Sequence, residues 1–135
     1  MKKINLNKFS ISNAEKFTLI AGPCVIENRE HTIKMASSIK SICDELKINF
    51  IFKSSFDKAN RSNVKSNRGV GLVNSLKIFE EVKKLFHCPI LTDVHNEEQC
   101  KIISKNSIID VIQIPAFLCR QTDLLIAAGK TNKII

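Results

Sequence analysis

The feature that most constrains this chain is an alternation of two hydrophobic periods along its 135 residues. Short continuous apolar runs recur at FTLIA (17–21), INFIF (48–52), PIL (89–91) and IIDVIQI (108–114). Between them apolar residues fall at helical spacing, first Ile33, Ala36, Ile39, Ile42, Cys43 and Leu46, then Leu72, Leu76, Phe79, Val82 and Phe86. Continuous runs suit strands covered on both faces, and the helical spacing suits helices packed along one side. Further helices are expected over 96–104 and 121–130, and the first over 29–47, with Asn28 as its N-cap and Glu30 in its first turn. Ile134 and Ile135 read as the start of a fifth strand, and residues 4–11 as a short strand or hairpin ahead of the first. Strand and helix in regular alternation imply an α/β fold of βαβ units around a parallel sheet. An open doubly wound sheet and a (β/α)8 barrel both satisfy the pattern. The lack of a GxGxxG after the first strand counts against a dinucleotide-binding sheet.

Composition narrows the class of function. With 44% hydrophobic and 25% charged residues the chain is globular in character, and no apolar run approaches the length of a membrane span. Its basic start, MKKINLNKFSISNAEKF, lacks the apolar stretch of a secretion signal. Five cysteines, at 24, 43, 88, 100 and 119, form no CxxC pair, which fits reduced thiols in a cytoplasmic protein. The net charge of +8 invites a nucleic-acid reading. Lysine is spread along the whole chain, however, Trp and Tyr are absent, and Phe sits in apolar runs, so no nucleic-acid partner is expected.

Polar residues are distributed unevenly between the two ends of the strands. Segments entering strands carry little: Lys47, His87 with Cys88, and 105–107. Segments leaving them carry Cys24 and Glu27, then 53–68, then Asp93, His95 and Asn96, then Gln113, Arg120 and Gln121. Sites in parallel α/β folds form at the carboxyl ends of strands, so this asymmetry points to one site built from four loops. Several of these residues also have ordinary explanations. Cys24 alone reads as a small buried apolar residue, His95 as a cap for the helix beginning near Asn96, and Asp93 as an acceptor for backbone donors. His31 and His87 read as surface residues. The segment FKSSFDKANRSN is different. Between 53 and 68 it sets five cations (Lys53, Lys58, Arg61, Lys65 and Arg68) against Asp57 alone, with Ser54, Ser55, Asn60 and Ser62 interleaved. Ammonium, guanidinium and hydroxyl donors together recognise phosphate or carboxylate, which implies an enzyme acting on anionic small molecules.

The segments IAGPCVIE, FKSSFDKANRS, LTDVH and DVIQIPAFLCRQTDL resemble, in order and spacing, the 3-deoxy-manno-octulosonate 8-phosphate synthase (2-dehydro-3-deoxyphosphooctonate aldolase) family. The resemblance runs from about Phe17 to the last residue. It implies a (β/α)8 barrel, of which the chain holds about the first four and a half units in residues 17–135, with 1–16 as an extension. It also implies a cytoplasmic homotetramer that condenses phosphoenolpyruvate with arabinose 5-phosphate, releasing phosphate, in lipopolysaccharide precursor synthesis. Lys53, Lys58 and Gln113 match phosphoenolpyruvate-binding residues, while Asn60, Arg61 and Ser62 match those holding arabinose 5-phosphate. Ser55 is expected beside them as a substrate-binding donor. Lys58, Asp93 and His95 are the expected catalytic group, and Arg120 matches an arginine that reaches a neighbouring subunit's site.

Cys24 matches the cysteine of the metal-dependent branch, which implies a divalent transition metal with its other ligands beyond Ile135. The related synthase using erythrose 4-phosphate is the alternative substrate reading, but it typically has Lys-Pro-Arg-Thr where this chain has Lys58-Ala59-Asn60-Arg61-Ser62. Asn63, Val70 and Asn96 depart from the family's serine, proline and glutamate. A (β/α)8 barrel takes ~250 residues, so a non-catalytic remnant or one half of a two-chain synthase is the other alternative. An unclosed sheet is expected to expose its edges and its inner face. Two outcomes follow from this reading. Residues 1–135 alone should release no phosphate from the two substrates, and measurable release would contradict it. Activity of the complete assembly should fall with chelators and with Cys24→Ala, and full activity in either test would remove the metal.

Overall fold

The computed structural model describes residues 3–6, 8–58, 63 and 68–135. The apolar runs form strands β3 (Thr18–Ala21), β4 (Asn49–Lys53), β5 (Ile90–Asp93) and β6 (Val111–Gln113), preceded by the short β1 (Ile4–Asn5) and β2 (Ser10–Ile11). The periodic segments form α1 (Arg29–Glu45), α2 (Leu72–Phe86), α3 (Glu97–Ser104) and α4 (Thr122–Gly129), and a 3-10 turn spans Ala116–Leu118. Strands β3 to β6 lie side by side in chain order, every pairing parallel. Ile134 adds a parallel bridge to Val111 at the far edge.

Local chemistry sets the helix ends. Asn28 caps α1, its Oδ1 accepting the His31 amide at 2.8 Å. At the other end Lys47 takes a left-handed φ of 56°, and the Lys47 and Ile48 amides donate to Asp44 O and Cys43 O. These bonds close the last turn and send the chain directly into β4. His87, with φ 51°, ends α2 in the same conformation before β5. The run at 108–114 yields a shorter strand than its apolar length suggests. At that end the Asp110 amide donates to Ile90 O at 2.9 Å, while the Asp110 carboxylate, in place of a backbone carbonyl, accepts the Ile90 amide at 2.8 Å.

Alternation along each strand divides the sheet into two faces. Phe50, Phe52, Ile90 and Ile112 face the helices and pack with Ala36, Cys43, Phe79, Val82, Ile103 and Leu124 in the main core. Phe52 is fully buried, its ring meeting Phe50 and Phe79 edge-on with centroids 6.4 Å apart. Full burial of such a side chain stabilises by roughly 1.5–3 kcal/mol. On the opposite face Ile51, Leu91 and Val111 form a smaller cluster with Leu6, Phe9 and Ile11. The antiparallel β1–β2 pair thereby covers the lower part of the inner face. The expectation of an exposed inner face is therefore corrected there. It holds at Ile20 on the β3 edge, which is half exposed.

At the end where strands begin, Lys83 of α2 donates to Ser107 O, Ile108 O and both Asp110 oxygens at 2.8–3.0 Å. This one ammonium joins α2 to the segment entering β6. Lys83→Met leaves two carbonyls and a partly buried carboxylate without their donor, with an expected cost of about 1–3 kcal/mol. A urea midpoint unchanged from the parent would contradict this.

Candidate anion site at the carboxyl ends of the strands

The loop after β3 begins with Gly22, where an added Cβ would stand 2.0 Å from the Lys53 carbonyl oxygen. Glycine is thus required for the backbones of β3 and β4 to pass so closely. Two buried hydroxyls tie three strand ends together: Ser54 Oγ donates to Pro23 O at 2.7 Å, and Thr92 Oγ1 donates to Ser54 O at 2.8 Å. Backbone bonds from Ser55 N–H to Cys24 O and from Ile26 N–H to Ser55 O extend β3–β4 contact past the strands. The frame beneath the site is therefore buried and hydrogen-bonded from strand to strand.

Above it the inner face turns polar. Lys53 follows Ile51 on β4, Asp93 follows Leu91 on β5, and Gln113 follows Val111 on β6, each by one alternation. Asp93 and Gln113 are register partners, and Ser55 lies one alternation beyond Lys53. Asp93 Oδ2 is 3.0 Å from His95 Nε2, and the Phe56 ring packs 5.6 Å from the imidazole, centroid to centroid. Burial pushes the Asp93 carboxyl up, but the His95 ring and the nearby Ser55 hydroxyl favour its ionised form more strongly, leaving it below the ordinary carboxylate value. Asp93 Oδ1 itself closes no hydrogen bond of good geometry, and His95 Nδ1 is likewise buried without a partner among the described residues. Both atoms are left to meet a bound molecule or water.

The site residues read from sequence separate into three groups. Lys53, Ser55, Lys58, Asp93, His95 and Gln113 belong to the carboxyl ends of β4, β5 and β6. Arg120 is exposed after the 3-10 turn and makes no hydrogen bond or ion pair among the described residues. Asn60, Arg61 and Ser62, with Lys65, lie outside the described residues. Four readings change. Cys24 is exposed rather than buried, and its Sγ accepts from Lys58 Nζ at 2.9 Å. Ser54 is buried and committed to Pro23, so it belongs to the frame. Arg68 forks onto Asp57 at 2.6 and 3.0 Å, which neutralises one cation of the basic segment. His95 does not cap α3, because Asn96 does, and its own amide donates to Gln99 Oε1 at 2.6 Å. Sequence reasoning missed Thr92 and Phe56. The only available signal was an alternation placing Thr92 on the helix side of β5.

A cleft between α3 and α4, lined by Glu97, Lys101, Asp123 and Lys130 among others, mixes both signs of charge and contains none of these groups. As a metal site the described residues do not suffice. No three His, Cys, Asp or Glu side chains among them are grouped to hold an ion, and Cys24 contacts an ammonium. No helix among them is long and apolar enough to cross a membrane.

Comparison with known proteins places this geometry. The family model described as DAHP synthetase I family matches residues 2–135. The chain belongs to that family. The family fold is the (β/α)8 barrel, and β3–α1 through β6–α4 are four of its units. Among relatives, the 2-dehydro-3-deoxyphosphooctonate aldolase of Bartonella henselae is 54% identical over 132 residues, 98% of this chain and 47% of that protein. Those of Agrobacterium fabrum and Rickettsia prowazekii are each 52% identical, over 96% and 100% of this chain and 45% and 49% of their own lengths. The resemblance read from IAGPCVIE to PAFLCRQTDL is borne out, and the chain spans about half the length of the curated relatives it matches.

The Asp93 carboxyl gives a pH prediction. Its folded pKa lies below the unfolded value of about 3.9, so its contribution is present above that value and lost as pH falls through the lower, folded one. The stability difference between parent and Asp93→Asn should therefore stay constant above about pH 5 and narrow as pH falls from there through the folded value. Thermal midpoints that differ by the same amount across this range would contradict the assignment.

Proposed function

We propose that this chain forms part of a synthase that joins phosphoenolpyruvate to arabinose 5-phosphate, giving 3-deoxy-manno-octulosonate 8-phosphate and phosphate for lipopolysaccharide precursors. The observation that carries the reading is the gathering of Lys53, Ser55, Asp93 and Gln113 at adjacent strand ends, with Lys58 held on Cys24 in the loop after β3. The printed names of the relatives support the same reaction. Residues 17–135 would be one portion of a single barrel domain, with 1–16 as an extension. The assembled enzyme would be a cytoplasmic homotetramer, with Arg120 reaching a neighbouring subunit.

Two anionic substrates repel each other and must be held in contact, which needs fixed positive charge in a site poor in water. Lys53 and Lys58 would bind the phosphate and carboxylate of phosphoenolpyruvate, with Gln113 as a neutral donor. Asn60, Arg61 and Ser62 would hold the sugar phosphate. A new carbon–carbon bond joins the enol carbon to the aldehyde, water supplies the ketone oxygen, and phosphate leaves. Asp93, held ionised by His95, would orient a substrate hydroxyl or water through Oδ1, and Lys58 would assist proton transfer. The metal that the resemblance implies enters only through Cys24, as one thiolate ligand whose partners are not among the described residues.

Titration calorimetry of the 135-residue chain with phosphoenolpyruvate tests the site directly. Binding should be measurable, and Lys53→Met should weaken it about tenfold or more, the loss of one charge-assisted hydrogen bond. Binding equally strong in the variant would remove Lys53 from the site. Tighter binding of erythrose 4-phosphate than of arabinose 5-phosphate by the assembled enzyme would instead favour the related synthase.

A further inference from the structure

Cysteine chemistry in this chain is sorted by exposure. Cys43, Cys88 and Cys100 are buried, and burial pushes the Cys88 thiol up to about 11, whereas Cys24 and Cys119 are exposed. Of the exposed pair, Cys24 alone has a side-chain nitrogen against its sulfur among the described residues, Lys58 Nζ at 2.9 Å. Their backbones are held in place on both sides. Ser55 N–H donates to Cys24 O at 3.3 Å, Val25 bridges Ser55, and Lys58 N–H donates to Arg68 O at 2.7 Å. The contact joins the ends of two adjacent strands, so forming a bond across it requires no rearrangement of the sheet.

We propose that Cys24 and Lys58 are a modification site at which hydrogen peroxide produces a reversible sulfur–nitrogen cross-link. In the first step the Cys24 sulfur takes an oxygen from peroxide, giving a sulfenic acid and one water while the peroxide O–O bond breaks. In the second, the Lys58 ammonium first gives a proton to solvent, the resulting amine attacks the electrophilic sulfur, the S–O bond breaks, and the hydroxyl leaves as a second water with another proton from the nitrogen. The sulfur is oxidised by two electrons and one peroxide is reduced to water. Sulfenic acids condense with neighbouring nitrogen in this way, and a thiol reductant restores both groups. Capture by a nitrogen already in contact outruns further oxidation of the sulfur, which is irreversible. The bond withdraws a thiol and a cation from the site together. That consequence for ligand binding rests on the synthase reading, and the bond itself does not.

The test is a peptide map of the reduced chain after treatment with a slight excess of hydrogen peroxide. The expected product has lost two hydrogens, resists tryptic cleavage after Lys58, joins the Cys24 peptide to the Lys58 peptide, and reverts with dithiothreitol. Cys24→Ser should abolish it. Lys58→Met should abolish the cross-link while leaving a Cys24 sulfenic acid that dimedone traps. The proposal is overturned if the two-hydrogen loss maps to a disulfide such as Cys24 with Cys119. It is equally overturned if Lys58→Met leaves the loss intact, or if Cys24 in the parent proceeds only to sulfinic acid.

Discussion

Everything in this structure depends on parallel pairing of four strands in chain order. A parallel pair needs a return connection, the helices supply it, and each return brings the next strand to its neighbour pointing the same way. All four carboxyl ends consequently lie along one side, and loops far apart in sequence become neighbours. Pairing alone brings Lys53, Asp93 and Gln113 to one rim, although they span sixty residues. No local propensity could gather them.

The second consequence is the division of labour between the two faces of the sheet. The helix side is buried and aromatic, with the Phe52 ring against both Phe50 and Phe79. The inner side grades from Ile51, Leu91 and Val111, under the β1–β2 hairpin, to lysine, aspartate and glutamine at the rim. A charge placed one residue earlier or later on a strand would face the helices instead. Ser54 and Thr92 show what polar groups do there: their hydroxyls are spent on backbone carbonyls, fixing the spacing of the strands whose ends carry the site.

Much of this was legible in the sequence because it is periodic. Strand and helix order, the Asn28 cap and the concentration of chemistry after strands all follow from spacing and residue type. What was not legible depends on pairing across distant segments. Whether Ser54 serves a ligand or the frame is decided by Pro23, thirty-one residues away. Arg68 looks identical to the other cations until Asp57 folds back onto it. Cys24 is small and follows an apolar run, so local pattern favoured burial, yet the turn imposed by the Gly22–Lys53 approach leaves it at the surface beside Lys58. The coverage of the inner face by the hairpin was equally hidden, because INLNKFSI has no period that names its partner.

The measurement that tests the central claim most directly is a map of backbone amide chemical shifts during addition of phosphoenolpyruvate. One site at the carboxyl ends requires the shifts to concentrate at residues 53–58, 93–95 and 113, with the opposite end of the sheet unmoved. Shifts centred on Lys47, His87 and residues 105–107 would contradict it, as would an unchanged spectrum at saturating ligand, and the rim would then be polar without being a site.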